Sequence, residues 1–180
     1  MLDAARWAAE RIDFVQIREK DLQAGELAEL TRRVMAAVRE PGSRTKVLVN
    51  SRVDVALAAG ADGVHLTAAV GELTAAQVRR VFDGAVVSVS CHSVEEVERA
   101  RNAGVDLIVF GPVFQKRVEG QLVRGGLGLE VLKRACVAAD TVPIVALGGV
   151  TMEVAGECLE AGAEGVAGIR LFRMSGRGAK

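Results

Sequence analysis

Three polar residues at alternate positions open the chemical case: Gln16, Arg18 and Lys20, in the segment GlnIleArgGluLys. Alternation in an extended strand sends them to one side, with Ile17 and Glu19 on the other. Cations directed toward a protein interior need an anionic partner, because an unpaired buried charge is costly. The arrangement predicts an anion site; the plain alternative is a structural salt bridge to Asp13 or Asp21. Two Gly-rich segments late in the chain form a second set, AlaLeuGlyGlyValThr with Gly148 and Gly149, and GlyValAlaGlyIleArg with Gly168 and Ile169. Glycines at strand ends let backbone N–H groups approach a phosphate closely. Close packing of the strand ends is the competing explanation. Between the two sets lies GlnLysArgValGluGlyGlnLeuValArgGlyGly, with Lys116, Arg117 and Arg124, which reads as a basic lid over a negatively charged ligand or as a solvated loop. Asn50, Ser90 and His92 end other apolar runs and add hydrogen-bonding groups, whereas His65 reads as a core histidine satisfied by backbone. Arg52 and Asp54 read as a capping and salt-bridge pair, Cys91 as inert packing.

The elements that position these residues repeat. A helix-like stretch ends at Gly60, Gly104 or Gly162, an acidic residue follows two positions later, and an apolar run begins. Glycine ends helices because it enters the left-handed conformation without steric cost. Seven apolar runs result: 14–18, 46–50, 63–66, 86–91, 107–113, 144–148 and 165–172. Most are continuous in Val, Ile and Leu, as expected for parallel strands covered on both faces. Amphipathic stretches separate them; 93–102 starts Ser-Val-Glu-Glu, a capping-box pattern. Strand and helix in alternation predict an α/β fold, best met by a TIM (β/α)8-type barrel. A doubly wound sheet is weaker, as no GxGxxG follows the first strand. The chain opens on a helix-like stretch at 3–11 and has only a short polar tail, 173–180, after the last run. The expectation is a single barrel domain over 1–172 lacking the first strand and most of the last helix.

Composition narrows the function classes. Net charge is zero, which argues against a nucleic-acid surface. No apolar run approaches the roughly 20 residues that cross a bilayer. The three cysteines lack CxxC spacing, so neither a disulfide framework nor a zinc site is expected, and free thiols suit a reducing cytoplasm.

In order along the chain, GlnIleArgGluLys, ValAsnSerArgValAspValAlaLeuAlaAlaGlyAlaAspGlyValHisLeu, ValSerCysHisSer, PheGlyProValPhe and ValAlaLeuGlyGlyValThr resemble the thiamin phosphate synthase / TenI (thiazole tautomerase) superfamily over about residues 4–172. The resemblance implies phosphorylated thiazole and pyrimidine partners, with neither nucleic acid nor membrane and with room for a homo-oligomer. For a synthase it implies a transferase that joins hydroxymethylpyrimidine pyrophosphate to thiazole phosphate and releases pyrophosphate. Gln16, Arg18 and Lys20 then match the pyrophosphate/pyrimidine strand, Asn50 and Ser90 match a family Asn and Ser, and Gly149, Gly168 and Ile169 match the thiazole-phosphate loops. Arg18, Lys20 and Ser90 become the catalytic candidates; Gln16, Asn50, Lys116, Arg117, Gly148, Gly149, Gly168 and Ile169 become the binding candidates. The resemblance also implies Mg²⁺, yet the family's metal-binding Asp is Ser51 here and the loop 67–71 carries no carboxylate before Glu72. The magnesium carboxylates are therefore expected to be lost, leaving no protein metal site. A TenI-like tautomerase and a non-catalytic thiazole-phosphate-binding or regulatory protein are the alternatives. A tautomerase would need His65 or His92 as its acid/base, since the family's position for that histidine holds Pro112.

Overall fold

The computed structural model describes residues 12–39, 43–67, 71–118, 121–169 and 171. The stretch 3–11 and the tail 173–180 named above lie outside them. The described residues divide into two compact units, one reaching Val89 plus 103–106, the other comprising 90–102 and everything after 106.

The first unit alternates β1 (Phe14–Ile17), α1 (Ala24–Val38), β2 (Lys46–Asn50), α2 (Val53–Ala59), β3 (Gly63–Leu66), α3 (Ala75–Val81) and β4 (Val86–Cys91), whose last two residues belong to the second unit. β1 to β4 pair in sequence order, all parallel where the register is defined, with Gln16 opposite Leu48 and Asn50 opposite His65. Strands covered on both faces need apolar residues throughout, and Val47, Leu48, Val49, Val64, Val87 and Val89 are all buried. In α1, Leu27, Ala28, Thr31, Met35 and Val38 are buried at helical spacing. The Thr31 hydroxyl donates to the Leu27 carbonyl at 2.7 Å, so its burial leaves no polar atom unpaired.

The repeated Gly-x-acid pattern has a structural task. Gly60 ends α2 at φ 72, and Asp62 then accepts the Val47 N–H at 2.8 Å and returns its own N–H to the Val47 carbonyl. Asp106 treats Val87 identically, its carboxylate accepting that N–H at 2.7 Å. Arg39 and Arg79 clamp these carboxylates at 3.2 and 2.8 Å while also donating to the Gly60 and Gly104 carbonyls. The acid thus pairs a backbone N–H at the start of a neighbouring strand, which burial would otherwise make expensive.

The second unit holds α4 (Val94–Asn102), β5 (Leu107–Phe110), a two-stranded antiparallel hairpin of β6 (Lys116–Val118) and β7 (Gln121–Arg124), α5 (Leu129–Ala139), β8 (Ile144–Leu147), α6 (Ala155–Glu160) and β9 (Gly165–Ala167). β5, β8 and β9 pair in that order, all parallel. Half of the capping box expected at Ser93 forms: its hydroxyl accepts the Glu96 N–H at 3.2 Å, but the Glu96 carboxylate accepts the N–H of His92, one residue earlier, at 2.6 Å. Four runs are shorter than expected: 14–18 and 144–148 by one residue each, and two others by more. The run 107–113 pairs as a strand only to Phe110, after which Val113 and Phe114 donate to the Leu147 and Gly148 carbonyls; among the described residues of 165–172 the strand extends to Ala167. The hairpin replaces the expected irregular loop at 116–124. Among the described residues no helix is long and apolar enough to cross a membrane.

Candidate functional site

In the first unit, the C-terminal ends of β1, β2 and β3 converge. Gln16 donates from Nε2 to Asn50 Oδ1 at 3.2 Å, and Asn50 donates from Nδ2 to Ser51 Oγ at 3.3 Å. Ser51 then donates to the Glu72 carboxylate at 2.8 Å. The hydroxyl and N–H of Thr67, just past β3, donate to the same Glu72 oxygen at 3.2 and 3.4 Å, and Leu73 N–H donates to the other at 3.2 Å. Partial burial pushes the Glu72 carboxyl upward, but the hydrogen bonds from Ser51, Leu73 and Thr67 outweigh it and hold the group below its ordinary value. Ser51 sits at φ 54, in the left-handed region, where its N–H donates to the His65 carbonyl at 2.8 Å.

Beside this chain lies a cleft of about 190 Å³, lined by Ile17, Arg18, Glu19, Lys20, Leu22, Leu27, Asn50, Ser51 and Arg52. That volume is below the roughly 300–1,000 Å³ of a whole small-molecule pocket, so the cleft suits one group of a larger ligand. Arg18 and Lys20 are exposed and bring positive charge to it. Arg52 is engaged by Asp54 in a two-point pair at 2.9 and 2.7 Å, the salt bridge expected from the sequence, but at the N-terminus of α2 its side chain makes no cap hydrogen bond. The Arg52 hydrogen bonds lower the Asp54 carboxyl.

His65 is 5% exposed, and its Nδ1 meets the Ser88 hydroxyl at 2.8 Å. It is a core histidine, with a side-chain hydroxyl among its partners. Burial lowers its pKa to about 4, and the Arg18 charge acts in the same direction against the opposing pull of Glu72. One ring thus feels both a cation from the end of β1 and a carboxylate from the loop after β3. Cys91 is buried packing, its thiol pushed up to about 12 chiefly by burial, which makes it a poor nucleophile.

The second unit contributes the ends of β5, β8 and β9. The segment 112–114 is packed between two glycine pairs. On one side Leu127 and Gly128 donate to the Pro112 and Val113 carbonyls at 2.8 and 2.9 Å, and a Cβ on Gly126 would overlap the backbone of 113–115. On the other, Gly148 and Gly149 take φ 94 and 67. A Cβ on Gly148 would stand 2.5 Å from Pro112 Cα, and one on Gly149 2.8 Å from Phe114 Cβ. Packing therefore accounts for both glycines by itself, whatever they bind. Gly168 differs: its φ lies outside the left-handed region and its nearest neighbour would be Leu171 Cβ at 3.1 Å. Ile169, beside it, is 86% exposed. Ser90 is half-buried near the end of β4. His92 is exposed there, and its Nδ1 contacts the Gly111 carbonyl. A carbonyl only accepts, so Nδ1 carries the proton and Nε2 is the basic nitrogen. Lys116 and Arg117 lie on β6, within the hairpin.

The structure thus joins Gln16, Asn50, Arg18 and Lys20 in the first unit, and groups Gly148 and Gly149 around the 112–114 segment in the second. The sequence reading missed Glu72 as a partner of Ser51; the only sequence signal was that Glu72 is the first carboxylate after β3. Among the described residues no group of three His, Cys, Asp or Glu side chains is placed to hold a metal ion.

Comparison with known proteins bears on both units. The family model described as thiamine monophosphate synthase matches residues 3–172. A putative thiamine-phosphate synthase 2 of Aquifex aeolicus is 37% identical over 163 residues, covering 89% of this chain and 83% of its own length. A putative thiamine-phosphate synthase of Geobacter sulfurreducens is 42% identical over 159 residues, covering 85% and 70%. Among solved structures, a thiamine phosphate pyrophosphorylase from Pyrococcus furiosus superposes with a TM-score of 0.78 at 29% identity, covering 94% of this chain and 79% of that one. The last likeness places the fold in the expected α/β, TIM-barrel class. With matches of this extent in sequence and in structure, the chain belongs to the thiamine monophosphate synthase family.

Proposed function

We propose that this protein joins hydroxymethylpyrimidine pyrophosphate to thiazole phosphate. The C–O bond between the pyrimidine methylene and pyrophosphate breaks, the thiazole nitrogen forms the new C–N bond to that carbon, and pyrophosphate leaves with the bonding electrons. The observation that carries this reading is the pairing of the Gln16–Asn50 amides with the Arg18/Lys20 cleft. Amides recognise the donor and acceptor edge of a pyrimidine, and the adjacent cations stabilise the charge that grows on the leaving pyrophosphate. Ser90, Lys116 and Arg117 are further candidates for contact with the anionic ligands. Gly148, Gly149, Gly168 and Ile169 receive the thiazole phosphate. The ligands are small anions rather than nucleic acid, in keeping with the chain's zero net charge.

Family enzymes use Mg²⁺, and we infer that the reaction of this chain rests on its own cations, although Glu19 also lines the cleft. Magnesium is held by one or two carboxylates together with substrate phosphates. Here Ser51 offers a hydroxyl, and the Glu72 carboxylate is already engaged by Ser51, Thr67 and Leu73. We therefore assign the leaving-group charge to Arg18 and Lys20. The test is thiamin phosphate formation from the two substrates by purified protein, with and without Mg²⁺. Product from wild type and its loss in Arg18→Met support the synthase. Binding of thiazole phosphate without turnover would replace it with a binding protein.

His92 supports a second reading, a TenI-like tautomerase, because the Gly111 carbonyl holds its ring with Nε2 as the base. Isomerisation of thiazole carboxylate phosphate that disappears in His92→Gln would favour it.

A further inference from the structure

We propose that Glu72 is a positioning residue: its carboxylate sets the direction of the hydrogen-bond chain that ends at Gln16, and so decides which polar edge Gln16 and Asn50 present to the pyrimidine. The inference rests on the synthase reading for the identity of that ligand.

A side-chain amide can face either way, since its oxygen and nitrogen ends have the same shape. A carboxylate cannot, because when ionised it only accepts. The Ser51 hydroxyl must therefore donate its one proton to Glu72, across 2.8 Å. Its oxygen is then left to accept, which obliges Asn50 to turn its NH₂ toward Ser51, 3.3 Å away. Asn50 Oδ1 consequently faces Gln16, and Gln16 must offer its NH₂, at 3.2 Å. Each step follows from the one before, and the acceptor-only end is the source of the order. Gln16 is exposed, so its carbonyl and its remaining N–H are available to a ligand.

The anchor is independent of the ligand. Glu72 is tied to Thr67 beyond β3, and the Ser51 backbone is tied to the His65 carbonyl on β3. The chain therefore runs across three strand ends, from β3 through β2 to β1. Ser51 holds its hydroxyl in place from a left-handed backbone, a conformation that favours glycine and is retained here by a side chain with a specific task.

Two variants break the chain without emptying a core position. Glu72→Gln keeps the volume but gives the end of the chain both donor and acceptor, so its direction is no longer specified. Ser51→Gly removes the hydroxyl, and glycine accepts φ 54 without cost. Calorimetry with hydroxymethylpyrimidine pyrophosphate is expected to show affinity about tenfold weaker in each, one hydrogen bond's worth. Affinity for thiazole phosphate and the melting temperature should stay near wild type. Unchanged pyrimidine affinity in both variants, or an equal loss for both ligands that follows a fall in melting temperature, would overturn the proposal. Turnover by the wild type is measured beside it. Turnover with unchanged variant affinity sinks the positioning role alone. Glu72-dependent binding without turnover sinks the synthase reading and leaves the positioning role standing. No binding of the pyrimidine compound by wild type sinks both.

Discussion

Ser51 and Glu72, twenty-one residues apart in the chain, meet hydroxyl to carboxylate at 2.8 Å, and Ser51 reaches that contact from a backbone at φ 54. The pair stands where the superfamily resemblance implies a metal-binding carboxylate. A neutral hydroxyl there turns a potential pair of like charges into a hydrogen bond.

Replacing Ser51 by Asp should reverse that. Aspartate tolerates a left-handed backbone better than most residues, so the main cost is electrostatic. Two carboxylates would share the site, and one must be protonated or neutralised by a cation. In the absence of divalent ions Ser51→Asp should lose about 1–3 kcal/mol, the cost of depriving a charged group of its partner. Added Mg²⁺ should raise its melting temperature with concentration while leaving wild type unmoved. Thermal melts across a Mg²⁺ series decide the point.

His65 should make stability fall on acidification before the carboxylates titrate. Its folded pKa of about 4 is depressed from the ordinary 6.5. Above 6.5 the ring is neutral in both states and the full contribution is present. Below it the unfolded chain takes up a proton that the folded core refuses, so stability declines toward pH 4. Between pH 7 and 4.5 the loss should be about 2–3 kcal/mol. Urea unfolding of wild type should show it, and His65→Gln should abolish that slope even if it is less stable throughout.

Arg18→Met should report on the same ring. Removing the cation takes away one of the influences that disfavour His65 protonation, so the histidine should titrate at higher pH in NMR spectra. In the same variant, affinity for inorganic pyrophosphate should fall about tenfold. An unshifted histidine would mean that Arg18 lies too far away to act on the site.

Gly168→Asp separates phosphate binding from packing. Gly168 is not in a left-handed conformation, and its nearest neighbour is a side chain rather than backbone, so the fold should tolerate the change. A carboxylate there would repel a phosphate, and calorimetry should show loss of thiazole phosphate binding. Gly149→Ala, by contrast, should cost about 1–3 kcal/mol of stability, since its Cβ would stand 2.8 Å from Phe114 Cβ at φ 67. Wild-type affinity in Gly168→Asp would remove Gly168 from the site.

Asp106→Asn should destabilise the first unit by about 1–2 kcal/mol. Its carboxylate accepts both the Val87 N–H and the Arg79 guanidinium, and an amide oxygen accepts each more weakly. Chemical denaturation of the variant beside wild type measures the difference.

The sequence by itself determined what depends on neighbours in the chain. The seven parallel strands were legible, most of them because a strand covered on both faces must be apolar throughout, as at Val47, Leu48 and Val49, whereas the hairpin strands β6 and β7 were not. Helix ends were legible at Gly60 and Gly104, and the acids after them were recognisable as links into strands, though not as acceptors of the Val47 and Val87 N–H groups. Alternation was expected to send Gln16, Arg18 and Lys20 to one side and Ile17 and Glu19 to the other, but β1 ends at Ile17, and Ile17, Arg18, Glu19 and Lys20 line the cleft together. Only the tertiary structure decided which groups those residues meet. Glu72 and Thr67, beyond β3, meet Ser51 at the end of β2, and no local pattern encodes that meeting. That Gly148 and Gly149 lie against the 112–114 segment, so that packing alone already requires glycine there, is likewise visible only in the tertiary structure. Side-chain periodicity is written residue by residue, whereas hydrogen bonds between distant strand ends exist only once the strands lie side by side.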